Sequence, residues 1–538
     1  MVVHPNHSVI VSTLVLGLFL GCTGAPGLEA ASGPSDPPDG GPLPPLRWAL
    51  VALPSAPGFS LAPRPSAASS AFLAVPPTLM TLSSPALPAA ALMFPAPAPA
   101  VSPRHYRGKP LLAAAEVAGI NFGVWAFLHY VGNAHYSYIS WDTIRDNFRD
   151  GFEWDRSQYF VNFYHHPYHG YLYYNAGRAN GLSYWGSALS AFGGSLMWEM
   201  VMEKYRPSIN DLITTTAGGI VYGEMGYRFS ALVRKRGARG LERIWREAVG
   251  TILDPVGGVN RLLNGRKDSD PGLPGSPDVG RILNGELFMT GPVVVRSASL
   301  SGTKVAPLLG FTINYGDPAG TGWSGNPFDV FTLNGRLRWG PDRPHMSLFI
   351  HGALVGKQMA GHNSGSHFLG LYQHYEYYGI DTLRVCGTSF TGGWTSRFEL
   401  DHKVRLTASG RLGWLVLGGT DDFESDPVDP VPGEPAGRRN YNMATGITAA
   451  ADFSIAGRGF EYVSATWRHY HIFNLHVVGS RPGRESWNII YAQARVPIWK
   501  KLGIGVAVEY CGRGYDLEGF PQGSRRVFES RAFAAWQF

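Results

Sequence analysis

Charge is scarce in this chain: charged residues fill 16% of its 538 positions, against the roughly 25% usual for soluble domains. That shortage argues against a disordered acidic or basic protein and against the surface of an ordinary cytosolic enzyme. The formal net charge of +6 is small at this length, which speaks against a dedicated nucleic-acid binder. Three cysteines cannot build a disulfide framework. A mean hydropathy of −0.07 excludes a polytopic helical membrane protein, which needs many apolar runs of about 20 residues. Catalytic signatures are missing too. The chain has no His-Glu-x-x-His pattern, no Gly-x-Ser-x-Gly elbow and no P-loop. What it has in quantity is glycine (68), proline (40) and aromatic residues (13%). Its length leaves room for two or three folded units and a linker, at roughly 150 residues per domain.

The amino end carries an apolar run from Val9 to Leu20, the length of a signal-peptide core rather than a membrane span. It closes on Phe19-Leu20-Gly21-Cys22, which resembles a bacterial lipobox and implies acylation at Cys22. The region before it holds His4 and His7 but no Lys or Arg, so a plain secretory signal stands as the alternative. Both readings predict export, with residues 1–22 as the signal. Residues 23–104 are expected to form an Ala/Pro-rich disordered tether. Nineteen of the 40 prolines fall between Gly24 and Pro103, removing amide donors and opposing regular helix or sheet.

Residues 105–270 read as a helical domain. Leu111 to Val131 is apolar but interrupted by Glu116, Asn121 and His129. Those polar groups make a bilayer span costly, so a packed bundle helix is expected. A second helix is predicted over about 183–204 and a third over about 209–233. Ser208 is placed as the N-cap of the third, with Asp211 completing a capping-box pattern. Small residues at Gly193, Gly194 and Ser195 and at Gly218 and Gly219 would let these two backbones approach closely. A fourth helix carries Leu241, Ile244, Trp245, Val249 and Leu253 on one stripe, with Arg239, Arg243 and Arg246 off it. It would rest on a membrane surface or cover a β-structure, and Asp254-Pro255 with Gly257-Gly258 would stop it.

Between these helices lie His166-Pro167-Tyr168-His169-Gly170, Tyr173-Tyr174-Asn175, Arg178-Ala179-Asn180-Gly181, Trp198-Glu199 and Pro207-Ser208-Ile209-Asn210-Asp211-Leu212. In that order the motifs resemble the bacterial domain of unknown function 3943, over about residues 136–229. The family has no settled activity, so the resemblance implies an address and not a reaction. A Glu-bearing helix, a basic turn and an Asp-Leu helix are also similar to VanZ-like proteins over two helices. The candidate catalytic residues are His166, His169, Glu199, Glu203 and Asp211, which supply metal-ligand types or the base and orienting acid of a hydrolase. Asn175, Arg178 and Asn210 are candidate binding residues. No cofactor is implied, and a divalent metal at the cluster stays open. The alternative is a buried polar network in which Glu199 or Glu203 pairs with Arg178 or Arg206 and the histidines bond backbone carbonyls. The aromatic run Tyr171 to Tyr174 is expected to pack.

From about residue 285 to 538 the pattern turns to alternation. Val404, Leu406, Ala408, Leu412 and Trp414 oppose Arg405, Thr407, Ser409 and Arg411; Ile504, Val506 and Val508 oppose Gly505, Ala507 and Glu509. About twelve strands follow one another with turn signals, an even number suited to a closed bacterial barrel. The segment ending in Trp536-Gln537-Phe538 resembles the terminal strand of outer-membrane barrels, which implies recognition of Phe538 by the barrel-assembly machinery. Trp339, Trp414 and Trp499 suit an interfacial girdle. The expected fold is therefore α+β, a helical region followed by an antiparallel transmembrane β-barrel in the bacterial outer membrane. Arg336, Arg338, Arg405, Arg411, Arg495 and Arg531, with Glu509 and Glu529, would point inward as a selectivity lining or a salt-bridged filling. Gln373 to Tyr378 would line the lumen or the rim. Cys386 and Cys511 could bridge only if their strands are neighbours.

Two functions follow. One is a binding, transport or structural envelope protein, a barrel with helices beneath or partly inside it and outer-membrane lipids as partners. The other is an outer-membrane enzyme acting on lipid or glycolipid through the His/Glu/Asp centre.

Overall fold

The computed structural model describes residues 108–538 except 156, 158, 235–237, 264–281, 298–300, 305–306, 319–324, 339–344, 361–364, 381–382, 402–403, 422–440 and 478–479. The signal segment, Cys22, the 23–104 tether and Trp339 lie outside the described residues. The helices are α1 (Pro110–Tyr130), α2 (Trp141–Asp150), α3 (His166–Ala179), α4 (Tyr184–Met197), α5 (Ile209–Val233), α6 (Gly240–Leu253) and α7 (Pro255–Leu263). Wide π-turns lead into α3 (Val161–His165) and out of α4 (Trp198–Met202). The strands are β1 (Ile282–Ser297), β2 (Ser301–Lys304), β3 (Leu308–Tyr315), β4 (Phe331–Arg338), β5 (His345–Ala360), β6 (Gly365–Ile380) and β7 (Leu383–Asp401). They continue with β8 (Val404–Asp421), β9 (Tyr441–Gly457), β10 (Phe460–Asn474), β11 (Gly483–Trp499), β12 (Leu502–Leu517) and β13 (Gly523–Gln537).

Every strand pairs antiparallel with its sequence neighbour, and the sheet closes where β13 meets β1, with Leu287 opposite Trp536 and Ser297 opposite Val527. Short β2 only extends the hairpin at the end of β1, which leaves twelve staves in the barrel, as the alternation predicts. Closure leaves the twelve-stave wall without an edge strand, the condition for a strand protein to cross lipid.

The inner face is identified by contacts that only a lumen permits. Arg336 on β4 donates to Glu509 on β12 at 3.1 Å, although β3, β1 and β13 stand between those strands. Four interstrand steps along the wall would separate them by about 19 Å, so the pair crosses the interior. Tyr470 on β10 likewise reaches Glu376 on β6 at 2.6 Å. The opposite face of the strands carries Leu412, Val506 and Ile504, which are 63%, 62% and 49% exposed. Trp414 and Trp499 are exposed on the outside, consistent with a girdle. The polar face turns in and the apolar face turns out, as in membrane barrels.

The helical domain lies neither beneath the barrel nor inside it. It packs against the outer wall. On β6, Leu369 and Leu371 are exposed, and the next outward residues on the same strand, Gln373, Tyr375 and Tyr377, are buried under helices. Gln373 accepts from Tyr184 of α4 and donates to the Ala217 carbonyl of α5. Tyr375 bonds the Phe163 carbonyl and packs against the tilted ring of Tyr222 on α5. Phe229 packs on Phe331 where β4 begins, and Phe163 packs on Tyr441 where β9 begins. The Gln373–Tyr378 segment therefore divides by parity: His374, Glu376 and Tyr378 face the lumen, and their odd-numbered neighbours hold the helices.

Within the helical layer α3 is the hub. A Cβ on Gly170 would strike the Thr215 backbone, and one on Gly219 would strike Gly170 itself. Those glycines bring α3 and α5 to backbone contact, and Gly194 of α4 meets the Tyr173 ring. The small residues of α4 and α5 thus approach α3 rather than each other. Tyr171, Tyr173 and Tyr174 are fully buried, in keeping with a packing role. α6 ends at Leu253, as Asp254-Pro255 predicts, and Asp254 then caps α7 by accepting from Gly257 N at 2.9 Å; Gly257 and Gly258 lie inside α7 rather than stopping a helix. Leu241 and Ile244 of the predicted stripe are exposed, whereas Arg246 is buried and donates to the Val233 carbonyl.

Two interiors as candidate functional site

The lumen is filled by paired charge. Glu509 accepts from Arg336 at 3.1 Å and Arg531 at 2.6 Å; Glu529 accepts from Arg338 at 2.6 Å and Arg531 at 3.0 Å. His345 is wholly buried between these carboxylates at 4.0 and 3.7 Å. His345, Glu509 and Glu529 have ligand atoms close enough to share an ion, but three arginines already neutralise the two carboxylates. Elsewhere Glu376 is shared by Arg468 and Tyr470, Arg411 pairs with Asp452, Arg495 with Glu286, and Arg513 with Glu485 at 2.9 Å. Of the predicted inward arginines, Arg405 alone is half-exposed, pairing with Glu399 at 3.0 Å near the β7–β8 rim. The lumen residues that sequence reasoning missed include Arg468, Arg513, Glu485, Asp452, Glu286 and His345. Their alternation with outward apolar neighbours was the available signal.

Cys386 and Cys511 are both free and buried. Their strands β7 and β12 are not neighbours, and Cys386 faces the helices while Cys511 faces the lumen.

The helical layer has its own paired centre. Glu224 of α5 is fully buried and accepts from Arg228 Nε at 2.8 Å, Arg178 Nη2 at 3.4 Å and the Tyr174 hydroxyl at 2.7 Å. Arg178 is therefore committed to Glu224, and Arg206 binds Glu153 and the Asp150 carbonyl. The pairing of Glu199 or Glu203 with Arg178 or Arg206 does not occur. Asn175, a candidate binding residue, is buried in α3.

The candidate catalytic residues do converge, at one end of the layer. Pro167 sits in the first turn of α3, where a missing amide costs nothing, so His166 and His169 stand one turn apart. His166 Nε2 lies 3.5 Å from Asp211 Oδ1, and its Nδ1 lies 3.3 Å from Thr215 Oγ1. His169 meets the Tyr173 hydroxyl at 2.9 Å and stacks edge-on against Trp198. Neither histidine bonds a backbone carbonyl among the described contacts. Ser208 does cap α5, its Oγ accepting from Asp211 N at 3.2 Å. The reciprocal bond, however, comes from Glu199, whose Oε2 accepts from Ser208 N at 2.8 Å. Glu203 accepts from Trp198 Nε1 at 3.3 Å. Asn210 ties the group together, donating to Asp211 and Asn162 and accepting from Asp155 N.

Glu199, Glu203 and Asp211 have no lysine or arginine partner among the described residues. These groups lie outside the barrel strands, and their acidities reflect that isolation. Burial, then repulsion from Glu203, lifts the Glu199 carboxyl well above the carboxylate range. Burial, then Asp155, lifts Asp211 in the same way and pushes Glu203 up to about 7. Burial holds His166 down at about 4 and His169 at about 3. The site is nonetheless reachable: the His166 side chain is 15% exposed, and His169 and Glu203 are partly exposed. Neutral imidazoles thus stand beside carboxyls that lack a lysine or arginine partner among the described residues; His166 and Asp211 are in direct contact, but three ligand atoms of this set do not meet around one point as those of His345, Glu509 and Glu529 do.

Together, the closed wall, the apolar outside and the charge-paired inside define an outer-membrane-type β-barrel protein with a lateral helical layer, a class with binding, transport or structural roles. Residues 151–256 match the family model of a domain of unknown function, DUF3943, the family that the helical motifs resemble. No curated protein matches the chain. Solved structures similar to it are barrels. The NanC porin is 8% identical, with 47% of this chain and 98% of that chain covered at a TM-score of 0.24. The KdgM porin is 6% identical, with 48% and 99% covered at 0.20. The beta domain of the Bordetella autotransporter BrkA is 15% identical, with 47% and 98% covered at 0.21. The barrel assignment rests on closure and on the two faces of the wall, not on these likenesses. None of these matches supports the enzyme alternative.

Proposed function

We propose that the protein is a binding protein of the outer membrane, in which the barrel is a filled anchor and the helical layer carries the binding site. The observation behind this reading is that Glu199, Glu203 and Asp211 have no lysine or arginine partner among the described residues, whereas Glu224 and the lumen carboxylates Glu485, Glu509 and Glu529 meet arginines. A carboxylate left without a counter-charge in a dry site is costly, and a bound cation would remove that cost. The ligand in this reading is a divalent cation that His166 and Asp211, already 3.5 Å apart, would contact directly, with His169, Glu199 and Glu203 moving in around it. Export through the amino-terminal segment, acylation at Cys22 and assembly through Phe538 belong to the same proposal. The lumen network supports anchoring rather than free diffusion, because arginines and glutamates meet across it.

The test is calorimetric titration of the refolded full chain with Mn²⁺, paired with planar-bilayer recording. Saturable binding that His166→Ala abolishes, with no steady conductance, is expected. Absence of binding together with a stable open channel would replace this reading with transport.

A further inference from the structure

α5 lies against the barrel wall and is buried along nearly its whole length, and α3 packs on α5. α1 and α4 form the outer side, joined where Asn121 Nδ2 donates to the Gly194 carbonyl at 3.1 Å. Their free faces are apolar: Leu111, Phe122 and Phe127 on α1 and Trp185, Leu189 and Phe192 on α4 are all exposed. Water would penalise that surface by roughly 25 cal/mol per Å², and contiguous apolar patches of this kind mark a partner or a membrane.

We infer that the partner is the acyl-chain region of the bilayer, so that the helical layer is embedded beside the barrel and replaces lipid along that wall. Three observations carry this. First, the surface is continuous with the barrel's lipid-facing band: the outward face of β6 passes directly from exposed Leu369 and Leu371 to helix-covered Tyr375 and Tyr377. A layer that covers the wall at that height sits at membrane depth. Second, α1 has 21 residues, about 31 Å at 1.5 Å per residue, which matches a hydrocarbon core of about 30 Å. Third, the polar groups that argue against a span are satisfied within the protein, His129 lying 3.3 Å from the Ser137 carbonyl at the helix end. Glu116 accepts from Asn180 and Asn260, and Asn121 bonds Gly194 and Tyr173. Polar side chains that face the packed side and pair there are what a lipid-embedded helix tolerates. The packed bundle helix expected from the sequence is thus packed on one side and lipid-facing on the other.

The inference rests on the barrel lying in a membrane, and the experiment separates the two. With Cys22 replaced by serine and buried Cys386 and Cys511 left in place, an environment-sensitive fluorophore is attached at Leu189→Cys, Phe127→Cys, Val506→Cys and Glu518→Cys. Each full-length protein is reconstituted into phosphatidylcholine vesicles with brominated acyl chains, after heat-modifiable gel mobility has shown that it is folded. Residue 506 reports the barrel wall and residue 518 an exposed connection between strands. Probes at 189 and 127 should lose fluorescence to the same extent as at 506, while the probe at 518 is spared. Having two helix positions keeps the test alive if one variant fails to fold. Quenching at 506 without quenching at 189 or 127 would overturn the lipid-facing layer and leave the barrel intact. No quenching at 506 would overturn both.

Discussion

The two interiors of this protein bury similar side chains and treat them oppositely. In the lumen, Glu509 and Glu529 are each met by two guanidinium groups, and Arg468, Arg495 and Arg513 each find a carboxylate. In the helical layer, Glu224 is treated in the lumen's way, between Arg178 and Arg228. About three and a half turns back along α5, Asp211 lies with Glu199, Glu203 and two histidines, and these carboxyls meet no lysine or arginine among the described residues. Paired burial holds a shape. Unpaired burial costs stability, and a fold that keeps it leaves room for a ligand to supply the missing charge.

The comparison breaks first where pairing is removed. Arg531→Ala leaves Glu509 and Glu529 short of charge in the lumen and should cost about 3–5 kcal/mol, read as lost heat-modifiable mobility and poor refolding yield. A folded, wild-type-like variant would mean that the lumen network is not structural. Glu224→Gln should cost slightly less, about 3 kcal/mol, in urea unfolding of the helical layer, because Arg178 and Arg228 lose their shared partner. Asp211→Asn should do the reverse. It removes repulsion without stranding a cation, so stability should hold or rise by about 1 kcal/mol, while cation binding is lost.

The pH dependence sharpens the same contrast. Glu203 in the fold holds its proton up to about 7, above its unfolded value of 4.5. The folded state therefore binds more protons between those values, and stability falls as pH rises through that window. Glu203→Gln should exceed wild type by about 2 kcal/mol near pH 8 and match it near pH 4. His166 titrates with the opposite slope, since its folded value of about 4 lies below the unfolded 6.5. His166→Gln should therefore be the more stable protein only on the acid side.

Much of this was legible in the residues. Strict alternation over β8 and β12 located the barrel and its inward arginines, because the strand period of two separates faces without knowledge of neighbours. Ser208 and the α5 boundaries followed from capping chemistry. The convergence of His166, His169, Glu199, Glu203 and Asp211 was visible as motifs in order. Which arginine met which glutamate was not, because Arg178 and Glu224 are 46 residues apart and only tertiary packing brings them together. The place of the helices was hidden for a related reason. Tyr375, Tyr377 and Cys386 read as ordinary outward strand residues, and nothing in a strand's own pattern tells lipid from a helix as its cover.

The most direct test of the central contrast is metal content after dialysis against Mn²⁺, compared between the folded wild type and Asp211→Asn. The account predicts bound Mn²⁺ in the wild type and loss of it in the variant, with folded yield unchanged. Equal metal in both proteins, or none in either, would contradict the claim that the unpaired crevice is the binding site.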